Sequence, residues 1–318
     1  MDPAGTSDPA GTSADPGGTS ADPVGTSAAS TKTPAGPERT AALQLGTRAV
    51  GVVGEPVGHS LSPRLHRAAY RELGLDWTYL AFEVGEVDFK AAVEGARALS
   101  FVGLSVTMPH KQAAAALATR RSVTVRSLGA ANTLTFSGRE IAAENTDGAG
   151  LLDDLRQLFS FDPDGRCCGV IGAGGAGMAA VLALAEAGAR EVLVVNRSAP
   201  HAFRAAALAR TAGRVARPVE LDAADVVVQA TPASMDGDGP MFVDSSRFGS
   251  GQIVMDLAYD PPLSPWLARA AGNGARTANG LGMLVNQAAR QIELWTGSPP
   301  PIEVMWAAIG GRSGPVPA

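Results

Sequence analysis

Residues 167–185 read CCGVIGAGGAGMAAVLALA, a run of 19 residues without a charge. The length is that of a membrane helix, but the composition is wrong for one. Gly169, Gly172, Gly174, Gly175 and Gly177 all fall within its first eleven residues, where they would weaken a helix. The run instead divides into a strand over 167–171, a glycine turn over 172–177 and a helix over 178–187. Gly172-Ala173-Gly174-Gly175-Ala176-Gly177 then fits the G-x-G-x-x-G pattern of a dinucleotide site. In that pattern the first glycine permits the turn, the second lets backbone approach a pyrophosphate, and the third lets helix pack on strand. The free N–H groups of the helix start face the phosphates. A second strand over 191–195 ends in Asn196-Arg197-Ser198. An acid there would hold a ribose 2′-hydroxyl and repel a 2′-phosphate. An Asn followed by an Arg accommodates the phosphate, so NADP is the expected cofactor.

On either side of this unit, strands and helices alternate. Strands are expected over 48–54, 78–82, 103–106, 132–136, 225–229 and 253–256. Helices are expected over 63–73, with Ser62 as N-cap and Pro63 at the first position, and over 87–97, 151–158 and 281–294. A short last helix follows Pro299–Pro301. The pattern is that of two α/β domains with mainly parallel sheets flanking a cleft. The second is Rossmann-type, and the C-terminal helices return to the first. The expected boundaries are 45–148, completed by 280–312, for the first domain and 149–279 for the second.

Composition narrows the classes of function. Of 318 residues, 45% are hydrophobic and 18% charged, enough to bury a core. The net charge of −5 gives no electrostatic reason to bind nucleic acid or an anionic membrane. Adjacent Cys167 and Cys168 cannot form a disulfide framework, which fits a reducing cytoplasm. His59, His66, His110 and His201 are scattered, so no metal is expected. The first 44 residues form a separate tail built on four imperfect copies of DPAGTS, with no apolar face and a net charge of −3. Such a segment cannot repay its ordering entropy, and it lacks the basic start and apolar run of a secretory signal.

Polar islands mark the strand ends of the first domain: GEPVGHSLSP over 54–63, SVTMPHK over 105–111, GAANTL over 129–134 and ENTDG over 144–148. Ser60 and Ser62 could both reach one polyhydroxylated ligand. Lys111 follows a strand end and Pro109, where a helix would begin. Together with GAGGAG (172–177), NRS (196–198), QATPAS (229–234), DLAY (256–259) and NGLGMLVNQA (279–288), these blocks resemble the shikimate dehydrogenase family over roughly residues 48–310.

The resemblance implies that Ser60, Ser62, Thr107, Asn132, Asp147, Tyr259 and Gln287 hold the substrate's hydroxyls and carboxylate. It implies that Lys111, oriented by Asp147, is the acid/base group. Gly172, Ala173, Gly174, Gly175, Ala176, Asn196, Arg197, Ser198, His201, Leu257, Gly280 and Met283 fall where the family binds NADP. The implied reaction is the reversible NADPH-dependent reduction of 3-dehydroshikimate to shikimate, a step of chorismate and aromatic amino acid biosynthesis, by a monomer or homodimer. Quinate or aminoshikimate dehydrogenation and a non-catalytic sensor are the alternatives; an intact Lys111 and Asp147 speak against the sensor. This sequence departs from the family pattern at Ser105, where Asn is usual, which weakens one support of the active-site loop. It departs again at His201, in place of a second phosphate-binding Arg, which shifts more of the NADP contact onto Arg197.

Overall fold

The computed structural model describes residues 46–236 and 241–312; the repetitive tail lies outside them. The first domain opens with β1 (Arg48–Gly54), α1 (Ser62–Glu72), β2 (Trp77–Glu83), α2 (Phe89–Ala98) and β3 (Gly103–Val106). It continues with α3 (Lys111–Leu117), β4 (Arg120–Arg121), α4 (Val123–Leu128), β5 (Thr133–Ser137) and β6 (Glu140–Glu144). The sheet order is β2-β1-β3-β5-β6-β4. It is mixed, because β5 runs antiparallel to both β3 and β6. The strand β6 is absent from the sequence reading; a tight turn with Gly138 at φ 58° folds it back on β5.

The helix α5 (Asp147–Phe159) carries the chain into the second domain. There follow β7 (Cys167–Ile171), α6 (Gly175–Glu186), β8 (Glu191–Val195), α7 (Ala199–Leu208), β9 (Gly213–Val215) and β10 (Val226–Gln229). Next come β11 (Ile253–Asp256), α8 (Pro265–Gly272) and β12 (Arg276–Asn279). These strands form a second sheet, β12-β11-β10-β7-β8-β9, parallel throughout. The order reverses between β7 and β10, and ligands of open α/β sheets bind in the crevice at such a switch point. The strands β9 and β12 are further additions to the sequence reading, being only three and four residues long.

The chain then returns. The helix α9 (Leu281–Thr296) and α10 (Ile302–Ala308) lay Val285, Ala288, Ile292, Trp295, Met305 and Trp306 into the core of Val50, Leu65, Tyr70 and Tyr79. The helix α9 thus belongs to the first domain while its N-terminus borders the second. It packs along α5, held by Arg290 on Asp153 (2.6 Å) and by Gln157 on Asn286 (3.3 Å).

Asp154 sits in the same seam. Its carboxylate lies so close to Gly282 that a Cβ there would stand 1.8 Å from Oδ1, so only glycine fits. Burial pushes this carboxyl up to about 7, opposed by Arg312 and the Met283 amide. The folded state therefore keeps the proton to higher pH than the unfolded chain, whose value is near 3.8. This group stabilises the fold fully below 3.8, and the contribution is lost as pH rises towards 7. Asp154→Asn should gain on the wild type by roughly 1.4 kcal/mol per pH unit across that window. The check is urea unfolding of both proteins across the range; a stability difference independent of pH would refute it. Comparing the two proteins removes the opposite slope of buried His66, which burial holds down to about 3 in both.

Three helix starts differ from the expectation. Ser62 is not an N-cap: Leu61 already has helical backbone, and the Ser62 amide is taken by Ser60 Oγ at 3.3 Å. The helix α6 begins inside the glycine turn, at Gly175, because Gly174 is extended and ends the loop there. The helix α5 begins at Asp147 rather than 151, which puts that carboxylate in the first turn.

Candidate active site

Lys111 owes its place to its neighbours. The strand β3 is buried along its length. His110, also buried, anchors the following loop by a 2.6 Å contact to the Val84 carbonyl and by stacking on Phe89 at 4.4 Å. The Lys111 carbonyl accepts the Ala131 amide at 2.8 Å, tying α3 to the segment that carries Asn132 into β5. With its backbone so fixed, Lys111 donates from Nζ to Asp147 Oδ2 at 2.6 Å.

Asn132 completes the cluster. Its Nδ2 donates to Asp147 Oδ1 (2.8 Å) and Thr146 Oγ1 (2.9 Å), and its Oδ1 accepts the Thr146 amide (2.9 Å) and the Thr133 hydroxyl (2.7 Å). Gln287 Oε1 lies 3.5 Å from the same Nδ2. A lysine, a carboxylate and two amides, brought from four separate blocks of sequence, thus meet within hydrogen-bonding reach.

They open onto a cavity of about 420 Å³ between the two sheets. Ser60, Ser62, Thr107, Lys111, Asn132, Asp147, Tyr259 and Gln287 all line it. Ala176, Leu257, Gly280 and Met283 line its other wall. The Tyr259 hydroxyl is pushed up by burial. Ser105 and Gln291 also line the cavity, and neither is among the ligand contacts the resemblance implies. The signal for both is periodicity. Ser105 is two residues before Thr107, on the same face of an extended segment. Gln291 is four after Gln287, one helical turn along the same face. Ser105 is no gap in the loop's support: it bridges the Tyr79 hydroxyl (2.6 Å) and Gln291 Oε1 (2.7 Å).

Gly172, Ala173, Gly174 and Gly175 lie beyond the cavity lining, at the end of β7. Gly172 has φ 107°, and a Cβ on Gly177 would stand 2.2 Å from the Gly172 carbonyl oxygen, so the turn closes only with glycine at both positions. A Cβ on Gly174 would meet nothing within 4 Å: the loop presents bare backbone to open space. A Cβ on Gly175 would stand 3.3 Å from Lys111 Cδ, which puts the lysine stem against the turn. Asn196, Arg197, Ser198 and His201 lie at the end of β8 and the first turn of α7, away from the cavity. Asn196 Nδ2 is occupied by the Ser198 carbonyl at 3.0 Å. The Arg197 guanidinium is exposed and makes no hydrogen bond or ion pair among the described residues. Bare backbone at a strand end, a helix N-terminus and an uncommitted guanidinium fit a dinucleotide carrying a 2′-phosphate. Among the described residues no cluster of three or more His, Cys, Asp or Glu side chains could hold a metal, and no helix is long and apolar enough to cross a membrane.

A Rossmann sheet whose glycine turn faces a lysine–carboxylate pair across a cleft is the architecture of a two-domain α/β dehydrogenase. Family models agree block by block: the shikimate dehydrogenase substrate binding domain matches residues 52–134, shikimate / quinate 5-dehydrogenase 156–257, and the shikimate 5′-dehydrogenase C-terminal domain 280–309. A shikimate dehydrogenase (NADP(+)) of Methanopyrus kandleri is 42% identical over 275 residues, covering 83% of this chain and 95% of its own. A crystal structure of a shikimate dehydrogenase in complex with NADP+ superposes with a TM-score of 0.78 at 33% identity, over 83% of this chain and 94% of that one. The Thermus thermophilus enzyme in complex with NADP(H) and shikimate gives 0.76 at 32% identity, over 82% and 98%. The chain belongs to the shikimate dehydrogenase family of NADP-dependent oxidoreductases.

Proposed function

We propose that this protein catalyses the reversible NADPH-dependent reduction of 3-dehydroshikimate to shikimate, with Lys111 as general acid. The observation that carries the reading is the 2.6 Å contact between Lys111 Nζ and Asp147 Oδ2, at the cavity wall that borders the glycine turn. The Thermus thermophilus relative, whose structure holds NADP(H) and shikimate, supports the choice of both ligands.

When bound, the reduced nicotinamide supplies the hydride; the remaining work falls to the chain. Backbone of Gly172, Ala173, Gly174, Gly175 and Ala176 would hold the pyrophosphate, and Asn196, Arg197, Ser198 and His201 the adenosine ribose with its 2′-phosphate. Leu257, Gly280 and Met283 would flank the nicotinamide. Ser60, Ser62, Thr107, Tyr259 and Gln287 supply hydroxyls and an amide for the substrate's carboxylate and hydroxyl groups. Reduction of a ketone leaves an alkoxide, and a Lys111 ammonium stabilises it and gives it a proton. Asp147 holds the ammonium in place through one oxygen and is itself held by Asn132 through the other. In the oxidative direction the neutral amine takes the hydroxyl proton back.

The test is to incubate the purified protein with 3-dehydroshikimate and NADPH and identify the product by NMR. Shikimate should accumulate in step with NADPH consumption. Unchanged 3-dehydroshikimate, or NADPH consumed without shikimate, would sink the proposal.

A further inference from the structure

Along the cavity wall and into the core behind it runs a row of hydrogen bonds that all point one way. The Tyr79 hydroxyl donates to Ser105 Oγ (2.6 Å), and Ser105 donates to Gln291 Oε1 (2.7 Å). Gln291 Nε2 donates to Thr133 Oγ1 (2.9 Å) and to the Asn132 carbonyl (3.3 Å). Thr133 donates to Asn132 Oδ1 (2.7 Å), and Asn132 Nδ2 donates to Asp147 Oδ1 (2.8 Å). The other oxygen of Asp147 receives Lys111. Ser105, Gln291, Thr133 and Asn132 are all buried, so water cannot substitute for a missing partner without cost.

The direction of the row follows from counting protons. A hydroxyl has one proton to give. Because the Gln291 amide donates to Thr133, the Thr133 proton is free for Asn132. Asn132 Oδ1 then has two donors, Thr133 and the Thr146 amide, and its Nδ2 must turn to Asp147. With the Gln291 amide reversed, Thr133 would give its proton to Gln291 instead, and Asn132 Oδ1 would lose one of its two donors. The far end of the row is equally committed. Tyr79 is fully buried and stacks on His66 at 4.1 Å, and a buried phenol keeps its proton and serves as a donor.

We infer that Gln291 is a positioning residue for the reaction: its amide sets the polarity of the row from Tyr79 to Asn132, and so aims Asn132 at Asp147 and Asp147 at Lys111. The inference rests on the site reading above for its link to turnover, but not for its structural content.

Gln291→Met keeps the side chain's length and removes both hydrogen-bonding ends, and Thr133→Val removes one link further along. Each should lower kcat for shikimate about tenfold or more, with the KM for NADP+ unchanged, since a buried polar group left unpaired costs about that much. The double variant should be no slower than the slower single one, because both break the same row. Thr133→Ser, which keeps the hydroxyl, should retain wild-type kcat. The chain has three lysines, Lys32, Lys90 and Lys111, so the Lys111 ammonium resonance is assignable in a ¹H–¹⁵N spectrum of the full-length protein without ligand. It should be sharp in the wild type and broadened or shifted in both variants. A lowered thermal midpoint with unchanged kcat, additive losses in the double variant, or an unmoved Lys111 resonance would each overturn the inference. If Gln291→Met fails to fold, Thr133→Val and Thr133→Ser decide alone. A wild type that does not turn over shikimate defeats the proposed function, while the lysine resonance still decides the role of Gln291.

Discussion

Replacing Lys111 with methionine should lower kcat by about 10²–10⁴-fold, the usual contribution of a general acid, while leaving the shikimate KM changed far less. The substitution keeps the stem, which passes close to Gly175, and removes the group that pairs with Asp147. The fold should tolerate it. Lys111 is the first residue of α3, its backbone is held by the Ala131 amide, and its loop is pinned by His110, none of which involves the ammonium. The proposed substrate contacts should survive because Ser60, Ser62, Asn132 and Gln287, which line the cavity, come from other elements. Steady-state kinetics in the oxidative direction separates the two parameters. Wild-type turnover in the variant, or a large rise in KM with kcat intact, would make Lys111 a binding residue and not the proton donor.

Arg197→Ala should raise the KM for NADPH about tenfold or more and leave that for NADH nearly unchanged, because a bidentate arginine–phosphate contact is among the strong polar interactions. The asymmetry follows from position. Arg197 is exposed at the end of β8, makes no bond among the described residues, and lies away from the cavity, so its loss disturbs neither the fold nor the Lys111–Asp147 pair. Equal damage with both cofactors would assign it a structural role.

What the sequence carried most clearly was the second domain. The strand over 167–171, its glycine turn and the strand over 191–195 are local features: a run of buried β-branched and small residues, then a turn in which Gly172 and Gly177 admit no other residue. The first sheet was less legible. The strand β6 spans only Glu140–Glu144, buries Ile141, Ala142 and Ala143 in a row without alternation, and pairs through a hairpin whose turn signal is the lone Gly138. The motif blocks located Lys111, Asn132 and Asp147 at element ends, but the contacts among them join residues 15 to 36 apart in the chain and depend on packing. Ser105 shows the limit. Read against the family pattern it is a lost amide, yet in the fold Gln291, 186 residues away, supplies an amide to the same hydroxyl. Compensation of that kind is invisible to any local reading.

Initial rates of shikimate oxidation with NADP+, run beside quinate with NADP+ and shikimate with NAD+, test the central claim most directly. Shikimate with NADP+ should give the highest kcat/KM of the three, because on the proposed reading the cavity's hydroxyls and amides would hold shikimate and Arg197 would meet the 2′-phosphate. No NADPH formed from shikimate, or a clear preference for quinate or for NAD+, would contradict it.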